Sequence, residues 1–284
     1  MENITLTVVN TVVLTAVILF VIAVVQRKVV SAKDFSPPAL PVGKVPVWFY
    51  HRLDIIGLVV IGGIFYVLSL GNMLTLDTDE PVKASMEGMI FSIGFQFFMA
   101  GLCGVIVLGR ANIREWLGVV WENWPLVFLI APFTVVGMWG LFVGLYGIGY
   151  MDLMDKLGVE QVQETVKMFQ EEKNLMIVGL MAFAAALVAP VCEEVVFRGY
   201  LYPVAKKFSG PWVAGICTAL LFSAVHGSMA ALLPLFIFGV VLALLYEATG
   251  SIWAPISVHF LFNAATVSIQ LGARFYGIDS VAGQ

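Results

Sequence analysis

Apolar stretches of roughly twenty residues recur along the chain, over about 4–25, 53–74, 87–108, 125–149, 175–197, 211–226, 229–247 and 252–271. A helix of about 20 largely apolar residues is long enough to cross a bilayer. Lipid offers no partner for backbone N–H and C=O groups, so such a segment has to satisfy them within itself. The spacing therefore predicts an all-α polytopic membrane protein with about eight transmembrane helices. Composition agrees. Charged residues make up 12% of the chain and the mean hydropathy is +0.96, whereas soluble domains carry about 25% charged residues. There is no basic patch of any length, so nucleic acid is not an expected partner.

The connections follow the rule that Lys and Arg gather on the cytoplasmic side. Arg27, Lys28, Lys33, Lys44, Arg52, Arg110, Arg114, Lys206 and Lys207 fall on one side of the eight-span arrangement. Lys83, Lys156, Lys167, Lys173 and Arg274 fall on the other, diluted by acids such as Asp77, Asp152, Glu164 and Glu171. This predicts a multi-pass protein of the plasma (inner) membrane with both termini outside. The first apolar run follows Met-Glu-Asn, without a basic leader, and precedes Arg27 and Lys28. It reads as a retained anchor rather than a cleaved signal. The ending "SVAGQ" holds no prenylation cysteine.

Three parts are expected: four N-terminal spans in 1–150, an amphipathic outer-face helix in 151–174, and four C-terminal spans in 175–284. Val159, Val162, Val166 and Phe169 recur at helical spacing among acids, which predicts one helix over 152–174 lying on the outer surface. It is read as an ordinary surface helix, with a lid as the alternative. "SPPALPVGKVP" (36–46) is too rich in proline to be helical throughout and reads as a cytoplasmic linker. "IREWLGVVWENWP" carries three tryptophans suited to the inner interface. Cys103, Cys192 and Cys217 all lie in apolar segments, form no CxxC pair and read as packing residues.

One span breaks the apolar pattern. "ALVAPVCEEVVFRGYLYP" (Ala186 to Pro203) sets Glu193, Glu194 and Arg198 well inside the bilayer. A charge at that depth costs at least about 2.5–3.5 kcal/mol and usually faces a partner or a cavity. Glu194 and Arg198 are at i, i+4 and can pair. Glu193 points about 100° away and is left over. Either it has another partner or it holds a proton. A desolvated carboxylate in general holds a proton more tightly, the condition for a general base near neutral pH.

The chain has three histidines. His51 sits at a span boundary. His226 ends "TALLFSAVHG", and His259 lies in "PISVHFLFNAA" with Asn263 four residues on. His259 and Asn263 share a helical face, so both can donate to one point. Glu193, Glu194, Arg198, His226, His259 and Asn263 thus lie on three consecutive helices, while the other spans are nearly free of such groups.

These residues carry a resemblance. "EEVVFRGYLYP" fits an EExxxR motif, "FSAVH" an FxxxH motif and "HFLFN" an HxxxN motif, in that order. The set resembles the CPBP family, the CAAX proteases and bacteriocin-processing proteins, also called type II CAAX prenyl endopeptidase-like or Abi proteins. "LYEATGSIWAPISVH" is similar to the stretch that precedes the third motif. The resemblance covers about 174–271, and the first 150 residues carry no signature of the family.

The resemblance implies an intramembrane endopeptidase acting on membrane-associated peptides or proteins. Eukaryotic relatives act on prenylated CAAX proteins. Glu193 would be the water-activating base and His226 would hold that water. His259 and Asn263 would form the oxyanion hole, and Glu194 and Arg198 the supporting pair. The family is often labelled metalloprotease. No HExxH is present, but Glu193, His226 and His259 could hold zinc with one open position. The expected route is metal-free, because Asn263 suits an oxyanion donor better than a zinc ligand. On straight helices His226 would lie nearer the outer surface than Glu193, and a tilt or a break at Gly227-Ser228 could bring them together. Two other classes fit the polar cluster: a non-catalytic scaffold or regulator, and a proton-coupled transporter. The transporter reading expects acids spread over many spans and an internal repeat, neither of which is seen.

Overall fold

The computed structural model describes residues 2–33, 43–75, 85–159 and 164–276. No β-strand occurs among them. The helices are α1 (Glu2–Lys33), α2 (Asp54–Thr75), α3 (Met86–Val107), α4 (Ile113–Leu117), α5 (Val127–Gly147), α6 (Tyr150–Lys156) and α7 (Glu164–Glu171). They continue with α8 (Leu175–Ser209), α9 (Pro211–Ala224), α10 (Met229–Thr249) and α11 (Trp253–Tyr276).

The expected count of eight spans is not met as such. Six helices among the described residues, α1, α3, α5, α8, α10 and α11, are long and apolar enough to cross a membrane, and two shorter apolar helices accompany them, Asp54–Leu68 within α2 and α9. The chain is an all-α polytopic membrane protein. Its helix exteriors keep large apolar side chains outward, such as Phe91, Phe128 and Phe133, each more than 70% exposed. A surface of that kind fits lipid.

Two boundaries differ from expectation. The span expected over 175–197 runs unbroken through Ser209, 35 residues in all. At 1.5 Å per residue that is about 50 Å, more than the roughly 30 Å apolar core. The amphipathic segment 152–174 is not one helix. It forms α6 and α7, because Gly158 turns the chain at φ +68°. Val162 lies outside the described residues. Phe169 is buried against Val178, Met181 and Val267, and Arg274 Nη1 donates to its carbonyl at 2.6 Å.

The three loops expected on the basic side do meet at one end of the bundle. Arg110 forms a two-bond ion pair with Asp54, at 2.7 and 2.9 Å. Lys206 is fully buried. Its Nζ donates to both Glu247 oxygens, at 2.7 and 2.9 Å, and to the Val45 carbonyl at 2.9 Å. Lys207 Nζ donates to the Tyr50 carbonyl. Segment 43–50 is thereby clamped across α8 and α10. Of the Pro-rich linker, residues 36–42 lie outside the described set.

Lipid-embedded helices have little hydrophobic reason to associate, so close packing of small residues takes over. A Cβ at Gly239 of α10 would stand 3.0 Å from the Ala219 Cβ of α9. Cys103, Cys192 and Cys217 are buried and unpaired, as packing residues should be. A close approach of backbone to backbone lies at the end of α4. Asn112 and Glu115 form a reciprocal cap at its start, and Gly118 ends it at φ +60°. A Cβ on Gly118 would lie 1.8 Å from the Gly250 carbonyl oxygen. Gly118→Ala meets both the left-handed backbone and that clash, so we expect it to cost at least about 2 kcal/mol. Denaturation of the purified protein in detergent measures this, and a loss below about 0.5 kcal/mol would show that the neighbouring loop yields.

Candidate active site

The site is built on α8. Two of its segments are π-helical, Ala184–Val188 and Val195–Leu201, and they flank the α-helical turn Ala189–Glu194 that bears both carboxylates. Single π turns inside α-helices often mark functional positions. A proline follows close on each segment's carbonyls, and proline has no N–H to donate. In the first segment Ala189 N–H bonds the Ala184 carbonyl. At that spacing the Ala185 carbonyl would look to residue 190, which is Pro190. Asn263 Nδ2 supplies the missing donor at 2.9 Å. In the second, the α-helical partner of the Gly199 carbonyl would be residue 203, which is Pro203. That carbonyl accepts from Tyr50 Oη and Trp116 Nε1 instead, each at 2.7 Å. Burial raises the Tyr50 phenol well above its usual pKa, so it remains a donor at physiological pH.

Glu194 is fully buried, and a single oxygen carries its contacts. Arg198 Nη1 donates to Oε1 at 2.8 Å and His259 Nδ1 lies 2.9 Å from the same atom. Arg198, 2% exposed, also donates to the Gly239 carbonyl at 3.0 Å and stacks 4.7 Å over the Phe222 ring. His259 rests edge-on against Phe222 and Phe238, at 5.9 and 5.4 Å between ring centres.

His226 lies beyond the end of α9, in the turn made by Gly227 at φ +67° and the Ser228 cap of α10. The break expected at Gly227-Ser228 is present. His226 Nδ1 is 2.7 Å from the Phe222 carbonyl, and its ring is 4.9 Å from the Phe222 ring. Phe222 therefore touches both histidines and the arginine. A ring nitrogen facing a carbonyl or a carboxylate is the protonated one. Nε2 of each histidine then carries the free lone pair.

The structure thus joins Glu194, Arg198 and His259 directly and His226 to them through Phe222. It sets Asn263 against Ala185, about two turns before Glu193. His259 and Asn263 share a face, yet their hydrogens go to two different acceptors on α8. Glu193 makes no hydrogen bond to His226, His259 or Asn263. Its Oε2 is buried without a partner, as are Glu194 Oε2, Gln96 Oε1 and Ser251 Oγ among the described residues. Glu193 is half-buried, on the neighbouring face from Glu194.

Metal binding can be tested against the donors. Among the described residues no three His, Cys, Asp or Glu side chains stand together as a set able to hold a metal ion. The trio Glu193, His226 and His259 is not such a set here, and no catalytic step is assigned to a metal.

Residues 176–265 match the family described as Type II CAAX prenyl endopeptidase Rce1-like. YdiL of Bacillus subtilis (strain 168), which carries the provisional name of membrane peptidase, is 27% identical over 134 residues. The alignment takes in 46% of this chain and 54% of YdiL, so this chain spans about half the length of that curated relative. No solved structure matches the chain.

The match is confined to about a third of the chain.

The matched segment holds all six residues singled out from the sequence. It does not hold Tyr50 or Trp116, which reach Gly199 from the N-terminal half. Reading the sequence alone missed that pair. Pro203 was the available signal, since a proline in a span leaves a carbonyl that something must satisfy.

Proposed function

We propose that the chain is a membrane-embedded endopeptidase that hydrolyses peptide bonds of membrane-associated peptides or proteins with water activated by Glu193. One observation carries the reading. Of two adjacent carboxylates, buried Glu194 is held through Oε1 by Arg198 and His259, while half-buried Glu193 pairs with neither and its Oε2 has no hydrogen-bond partner. A structural ion pair needs only one of them, and an uncommitted carboxylate in an apolar site has the properties of a base.

In this reading Glu193 takes a proton from water as the water oxygen bonds to the peptide carbonyl carbon. The carbonyl electrons move to oxygen. Asn263 Nδ2 carries two N–H groups, one on Ala185, and the second is a donor for that oxyanion. His259, oriented through Nδ1 by Glu194, presents Nε2 to the same region. The C–N bond then breaks, and Glu193 returns its proton to the leaving amine. His226 positions the water. Glu194 and Arg198 hold His259.

The route is metal-free. The enzyme sits in the plasma membrane with its basic end in the cytoplasm, both termini outside, and the site opening toward the cytoplasm.

The test is cleavage of a quenched membrane-peptide library by the purified protein in liposomes, with and without a strong chelator. Cleavage that is lost in Glu193→Ala and indifferent to chelator is the expected result. Cleavage that survives Glu193→Ala would overturn the assignment of the base. Loss on chelation, restored by zinc, would overturn the metal-free route.

A further inference from the structure

The geometry points to Tyr50 and Trp116 as positioning residues for the Arg198–Glu194–His259 relay, acting through the Gly199 carbonyl. Only the activity arm of the test rests on the proposed peptidase function.

Gly199 comes directly after Arg198, inside the π-helical segment that begins next to Glu194. Its carbonyl takes two donors at 2.7 Å, both from outside the family-matched segment. One donor satisfies a carbonyl, so the second adds direction. Both donors are themselves anchored. Trp116 sits in the capped helix α4, and its carbonyl accepts from Tyr246 Oη at 3.3 Å, while the next carbonyl, Leu117, accepts from Ile252 N–H at 3.0 Å. Tyr50 is fully buried, and its carbonyl accepts from Lys207. Gly199 has no free space either: an added Cβ would stand 2.7 Å from Leu117 Cδ2. The π segment is thus pressed and bonded into place from α4 and from the segment before α2.

A π turn carries more residues per turn than an α turn, so it sets the rotation of side chains on its N-terminal side relative to those on its C-terminal side. Here Glu194 precedes the turn, Arg198 lies within it, and Lys206 comes after it. If the turn relaxed to α-helix, Arg198 would keep its i, i+4 spacing to Glu194, but the pair would turn relative to the Gly239 carbonyl on α10 and to His259 on α11. The N-terminal half would then serve the site by holding this turn, without touching substrate.

The chain has three histidines, so ¹⁵N-histidine labelling gives a short spectrum in which His259 is assigned by His259→Gln. In Tyr50→Phe and in Trp116→Phe the His259 Nδ1–H signal is expected to stay, because one donor remains. In the double variant it is expected to shift or broaden, while the His51 and His226 signals stay. Tyr66→Phe, which removes the hydroxyl bonded to Asn10 in the same N-terminal half, should leave His259 unmoved.

Activity should track the spectrum: kcat falls about tenfold or more in the double variant and within about twofold in the singles, with KM unchanged. An unmoved His259 signal in a folded double variant would overturn the proposal. If the double variant does not fold, Pro203→Ala decides. It restores an N–H inside the helix, competes for the Gly199 carbonyl and favours regular α-helix. A merely structural role predicts an unchanged His259 signal there and overturns the proposal; the positioning role predicts a shift. A wild type that cleaves nothing would count against the peptidase reading, and the spectrum would still decide the role of Tyr50 and Trp116.

Discussion

Glu193→Gln is expected to lower cleavage by about 10²–10⁴-fold, the usual contribution of a general base, and to leave the melting temperature unchanged or raise it. Glu193 has a buried oxygen without a partner, so the substitution removes no native bond and replaces a group that is costly to hold in an apolar setting. Glu194→Gln should behave in the opposite way. It weakens contacts to both Arg198 and His259, and it leaves a buried guanidinium without its counter-charge. Measuring kcat/KM and thermal unfolding on both variants in one detergent separates the two roles. Full activity in Glu193→Gln, with loss in Glu194→Gln at retained stability, would move the base to Glu194.

Arg198→Met is expected to cost about 3–5 kcal/mol, the scale for removing one partner of a buried pair. Arg198 is almost wholly buried, with the Glu194 oxygen at 2.8 Å, the Gly239 carbonyl at 3.0 Å and the Phe222 ring beneath it. Methionine keeps much of the volume but leaves Glu194 charged and facing apolar side chains. The double variant Arg198→Met/Glu194→Gln should recover most of the loss, since neutralising both partners removes the uncompensated charge. Arg198→Lys should fall short of wild type, because an ammonium cannot reach both acceptors with the planar fork that guanidinium provides. Equilibrium denaturation of wild type, Arg198→Met, Glu194→Gln and the double variant gives the coupling energy. A loss under about 1 kcal/mol in the single variant would show that the pair contributes little net stability.

Some of this was legible without coordinates, for physical reasons. Blocks of apolar residues long enough to cross a bilayer leave helices as the structure for a chain of this composition. Spacing at i, i+4 is a local property of a helix, so the Glu194–Arg198 pair and the surplus of Glu193 can be read from sequence, and the coordinates agree. The break between α9 and α10 at Gly227-Ser228 was legible because glycine in the left-handed region ends a helix.

Other features needed the tertiary structure. Gly158 splits the segment 152–174, a turn that the apolar periodicity on either side of it conceals. Pro190 and Pro203 show from sequence that two carbonyls on α8 lack helical partners. Which side chains answer them depends on what packs there: Asn263 from α11 for Ala185, Tyr50 and Trp116 from the N-terminal half for Gly199. The shared face of His259 and Asn263 was readable, but their separate acceptors were not. Helix periodicity states which way a side chain points, whereas what it meets is set by the neighbouring helix. The sequence by itself therefore determined the class of protein, the membrane-buried charges and the local pair. The tertiary structure alone decided which carboxylate holds His259, and how the N-terminal part of the chain, outside the family match, reaches α8.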